Sequence, residues 1–61
     1  KMETIELLAD TVNAVNEIIA MGGVELSDVE YMSETLSIAE AKLEQEGYSI
    51  IPFSSRWAKD T

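Results

Sequence analysis

The sequence predicts an all-α fold. It consists of an antiparallel helical hairpin, with helices over residues 3–21 and 28–46, and an extended or short-helical C-terminal arm over residues 47–61. The whole is one small domain, residues 1–61, that associates into a helical bundle. Three observations carry this expectation. Apolar side chains recur at helical three- and four-residue steps through residues 5–19 and again through 29–43. Glycines stand where each periodic stretch stops, Gly22-Gly23 and then Gly47. Finally, 61 residues without Cys or His can build neither a disulfide staple nor an ordinary zinc site. A chain this short then finds its missing core in dense helix packing or in another subunit.

In the first helix, Ile5, Leu8, Val12, Val15 and Ile19 form the seam. Glu3 and Glu6 lie in its first turn, where the helix dipole favours anions. The second helix opens on Ser27-Asp28-Val29-Glu30, which has the form of a capping box, with Leu26 and Tyr31 spaced as a hydrophobic staple. Its seam is Val29, Met32, Leu36, Ala39 and Leu43. The short linker from Gly22 to Leu26 makes the two helices antiparallel neighbours. Beyond Gly47 the helical period is lost, and Pro52 disfavours helix at Ile51. Residues 48–53 therefore read as extended, with one closing helical turn over residues 54–60 capped by Ser54 or Ser55.

The first helix is apolar over more than one face. Glu3, Glu6, Asp10, Asn13 and Glu17 occupy a polar stripe about 80° wide at 100° per residue. Leu7, Ala14, Ile18 and Met21 flank the seam on one side, and Ala9 and Ala20 on the other. One partner helix and a short arm cover only part of that surface. A second chain is expected against Leu7, Leu8, Val12, Val15, Ile18, Ile19 and Met21, as in a four-helix bundle built from two hairpins, a dimer being favoured. The competing reading folds the arm back through Ile50, Ile51, Phe53 and Trp57 to complete the core. Asn16, beside the seam, would fix register if it paired with its symmetry mate. Tyr31 and Ile38, seven residues apart, give the second helix a weaker apolar face.

Charge narrows the function. The net charge is −8, from 12 acidic and 4 basic side chains. It is polarised. Residues 2–46 carry eleven acids against Lys42 alone, a balance of −10, while Arg56, Trp57 and Lys59 sit together near the C-terminus. Such acidity opposes binding to nucleic-acid phosphates or anionic membranes. No apolar run is long enough to span a bilayer, and no basic segment precedes an apolar one as in a secretory signal, so a cytoplasmic protein is expected (host cytoplasm if phage-encoded). No His or Cys is present to activate a nucleophile, and Gly22-Gly23 lacks the Lys of a phosphate-binding loop. No catalytic residue, cofactor or metal ligand is assigned. Glu30/Glu34 and Glu40/Glu44, one turn apart, read as a solvated face or a surface for a basic partner.

Two partial resemblances follow. Glu3-Thr4-Ile5-Glu6, then eighteen residues, then Glu25-Leu26-Ser27-Asp28 resembles the magnesium motif of the all-α nucleotide pyrophosphohydrolases of the MazG type. That resemblance implies four carboxylates on two helices holding magnesium. With Ser27 as cap, however, Glu25 falls in the linker. The hairpin topology is also similar to that of the small RNA-binding protein Rop, but the basic helical face that RNA contact needs is missing here. The expectation is thus a small acidic non-enzymatic protein-interaction module. It is homo-oligomeric, binds a basic protein partner, and belongs with small inhibitors, antitoxins and phage-encoded regulators. The alternative is a small-ligand or nucleotide binder at the subunit junction. Tyr48, Phe53, Arg56, Trp57 and Lys59 are the candidate partner- or ligand-binding residues in either case.

Overall fold

The computed structural model describes residues 2–59. Helix α1 spans Thr4–Ala20 and helix α2 spans Leu26–Gln45. Strands β1, Tyr48–Ile51, and β2, Arg56–Lys59, follow as an antiparallel pair. The helical hairpin is as expected, but the fold is not all-α, because the arm is a β-hairpin.

Glycine geometry ends both helices. Gly22 has φ +75°, its N–H reaches the Ile19 carbonyl at 3.0 Å, and the Gly23 N–H reaches that of Ile18 at 3.3 Å. This is the paired closure of a Schellman motif. Gly47 ends α2 in the same left-handed region at φ +88°, and its N–H bonds the Glu44 carbonyl at 3.1 Å. A Cβ at Gly47 would have nothing within 4 Å, so only the backbone opposes substitution. Gly47→Ala is therefore expected to cost about 1–2 kcal/mol, read as a lowered melting temperature with unchanged helical circular dichroism.

The start of α2 departs from the capping box. The N-cap is Glu25, whose carbonyl accepts the N–H groups of both Asp28 and Val29 at 3.0 Å, and no side-chain cap bond forms. Beginning two residues earlier lets the Leu26 carbonyl replace the Ser27 hydroxyl as the partner of the Glu30 N–H. The staple is not made either, since Leu26 and Tyr31 both stand exposed.

The hairpin replaces the expected closing helical turn for identifiable reasons. Ile51 pairs with Arg56, leaving Pro52-Phe53-Ser54-Ser55 as a four-residue loop. Phe53 and Ser55 take positive φ, +73° and +55°, which lets the chain reverse tightly. The Ser54 hydroxyl donates to the Ile51 carbonyl at 3.3 Å inside this loop, so it caps no helix. Register places Ile50 opposite Trp57 and Tyr48 opposite Lys59. Cross-strand partners share a face, and here that face carries Tyr48 and Trp57 together into the core.

The hairpin lies across one side of the helical pair, β2 against α1 and β1 against α2. Ala9, Val12, Leu43, Tyr48 and Trp57 form the buried core, with Ile5, Leu8, Leu36 and Ala39 packed around it. Small side chains at Ala9 and Ala39 leave room for the two aromatic rings. The arm thus folds back on its own helices through Trp57, as in the competing reading, joined by Tyr48 and not by Ile50, Ile51 or Phe53. Phe53 points away, fully exposed at the loop tip, and Ile50 and Ile51 are about half exposed.

Candidate interaction site

The hairpin is fastened at one residue. Asn13 is buried, and its side-chain oxygen accepts the Trp57 N–H at 2.7 Å while its amide nitrogen donates to the Trp57 carbonyl at 3.1 Å. The N–H and C=O of one antiparallel residue point to the same side. Asn13 therefore stands in for a missing third strand on the outer edge of β2. The Trp57 indole Nε1–H donates to Glu40 Oε2 at 3.0 Å, and Asn16 donates to the same oxygen at 3.5 Å. Glu40 thus ties α2 to both α1 and β2. Arg56 adds an exposed ion pair with Glu17 at 3.9 Å, which contributes little.

These contacts locate the five tail residues. Tyr48 and Trp57 are in the core, Arg56 lies beside Glu17, and Lys59 lies near Glu3, Glu6 and Asp10 at the mouth of a cleft. Only Phe53 is wholly free of the body. The structure does not gather the five into one site. Asn16 bonds within its own chain, to Glu40, and has no need of a symmetry mate. Asn13, a member of the polar stripe of α1, is buried under β2. A legible signal existed in Ala9-x-x-x-Asn13-x-x-Asn16-x-x-x-Ala20. Two amides between two alanines form a low, hydrogen-bonding strip on which a strand edge can rest.

On the opposite side the helical pair is open. Leu8, Val12, Val15, Met32, Leu36 and Ala39 line a groove of about 310 Å³ between α1 and α2, with Thr11, Thr35 and Tyr31 at its walls. Beside it runs a second seam of α1, Thr4, Leu7, Thr11, Ala14, Ile18 and Met21, with no charged member. Leu7, Ile18 and Met21 are exposed, as are Tyr31 at 82 % and Ile38 at 69 % on α2. Lys42 closes the α2 stripe and pairs with Glu46 at 3.3 Å. Of the seven residues expected against a second chain, Leu7, Ile18 and Met21 are exposed, Leu8, Val15 and Ile19 are half-buried, and Val12 is consumed by the chain's own core.

Acidic side chains take the remaining surface. Glu6, Asp10 and Glu17 flank β2, Glu30 and Glu34 lie along α2, and Glu44 borders β1, all exposed. Glu3, Glu6, Glu25 and Asp28 are exposed as well, and among the described residues no group of three or more acidic side chains is arranged to hold a metal ion. Among the described residues, no helix is long and apolar enough to cross a membrane. No family model matches this sequence, and no curated protein or solved structure is similar to it at a significant level.

Proposed function

We propose that this protein is a non-enzymatic interaction module that self-associates through the open face of its helical pair and shows its acidic faces to a basic protein partner. One observation carries the reading: exposed apolar surface and charge are segregated onto different sides of α1. The uncharged seam and the exposed α2 side chains Tyr31 and Ile38 together form the apolar surface that a second copy would cover. A second copy brings eight more negative charges, but meeting seam to seam keeps Glu6, Asp10 and Glu17 turned aside, where salt screens them. The outward acids then suit a cationic surface, as in an acidic inhibitor.

The two associations respond to salt in opposite directions. Self-association is expected to tighten as ionic strength rises, and a complex with a basic protein to weaken. Mass measured by light scattering across a concentration and salt series checks the first. Ile18→Glu, placing charge in the seam, is expected to give a folded monomer. A native chain that stays monomeric at high salt and high concentration would remove the self-association.

A further inference from the structure

The two edges of the hairpin are unequal. Asn13 occupies the outer edge of β2 at Trp57. Ile50, directly opposite Trp57, must turn its own N–H and C=O to the outer edge of β1. Among the described residues, α2 supplies no side-chain hydrogen bond to the Ile50 backbone as Asn13 does to Trp57. Instead a groove of about 520 Å³ separates β1 from α2, floored by Ser37, Ala41 and Ile50 and walled by Glu40 and Glu44. The helix bordering it is acidic from Glu30 to Glu44, and its one cation, Lys42, is held by Glu46 on another face.

We infer that an extended cationic peptide segment of a partner protein docks here by strand addition, pairing its backbone with Ile50 and Tyr48 as a third strand. Unpaired edge groups are a template for such pairing. A strand added to β1 presents alternate side chains toward the groove. Small or apolar residues fit against Ser37 and Ala41, and Lys or Arg reaches Glu44 and the free oxygen of Glu40. Charge selects this occupant over a second copy, because two β1 edges meeting would bring two sets of Glu40 and Glu44 together. The inference rests on the reading of a basic protein partner and gives that partner a place and a conformation. It is independent of the self-association face on the other side of the helices.

The test is an amide NMR titration of the full chain with a blocked alternating Lys-Val hexapeptide, compared with its Glu-Val counterpart and a backbone-N-methylated version. Shifts centred on Ser49, Ile50 and Ile51, with slowed exchange of the Ile50 amide, are expected for the Lys-Val peptide alone. Ile50→Pro removes the outward N–H, which an edge strand tolerates, and should weaken binding about tenfold, as loss of a backbone hydrogen bond would, whereas Ile50→Val keeps the N–H and should bind nearly as well. Glu44→Lys, on the surface, should weaken it without moving the melting temperature, so the test survives if the proline variant misfolds. Equal binding of the methylated peptide, or shifts confined to Glu30 and Glu34, would overturn strand addition while leaving an acidic binding module in place. An Ile50 amide protected without peptide and in proportion to protein concentration would assign the edge to a second copy and overturn the inference. Absence of any binding by the Lys-Val peptide would overturn both.

Discussion

Trp57→Ala is expected to destabilise the protein by about 3–5 kcal/mol, the usual cost of truncating a buried aromatic side chain. Trp57 is only 7 % exposed and sits among Ala9, Val12, Leu43 and Tyr48. Its removal opens a cavity where both helices and the hairpin meet, and it also strips Glu40 of its indole donor. A domain of 61 residues has a total stability of roughly 3–9 kcal/mol at the typical per-residue value. The variant should therefore sit near or beyond its unfolding midpoint at room temperature. Urea denaturation followed by far-ultraviolet circular dichroism measures this. Trp57→Phe separates the two contributions. It keeps most of the ring and loses the hydrogen bond to Glu40, so it should cost far less. Equal loss in both variants would mean that the indole bond, and not the packing, holds the hairpin.

Asn13→Leu is expected to cost about 2–4 kcal/mol although it adds apolar surface to a buried position. It leaves the N–H and C=O of Trp57 unsatisfied, each a penalty of about 1–3 kcal/mol when buried. The physical signature differs from that of the Trp57 variants. The helices retain each other, but β2 loses its hold on α1. Fluorescence of Trp57 should shift to the red before helical signal is lost, and the Trp57 amide should exchange with solvent faster than its neighbours. Asn13→Asp gives an internal control. A carboxylate still accepts the N–H but cannot donate to the carbonyl, which it instead repels. An intermediate or larger loss than Leu is expected from Asp; an unchanged melt in both variants would show that water replaces the side chain.

Much of this arrangement was legible beforehand. Both helices, their glycine stops and the seam residues Val12 and Leu43 follow from periodicity and from the left-handed tolerance of Gly22 and Gly47. The excess apolar surface of α1 was also visible, and it divides into a covered and an open part. Ala9 lies under the hairpin, and Leu7, Ile18 and Met21 remain open. What escaped was the β-hairpin. Its two strands have four residues each, too short to establish an alternation, and their turn depends on positive φ at Phe53 and Ser55, residues with no strong preference for it. Tertiary packing of Tyr48 and Trp57 decides the conformation there, and a local reading sees only Pro52 and two serines. Asn13 escaped for the same reason: its role exists only once a strand edge is beside it.

The bond between Asn13 and Trp57 joins residues 44 positions apart. During folding, α1 and α2 can form from local contacts before the hairpin docks. In that interval the helical pair is apolar on two sides, since Ala9, Val12 and Leu43 still lack their cover and the groove opposite is open as well. Closure of so long a loop is slow relative to helix formation, so the folding chain passes through a state with more exposed apolar surface than the finished one. The clamp that completes the fold covers the first of these sides and leaves the uncharged seam exposed on the other.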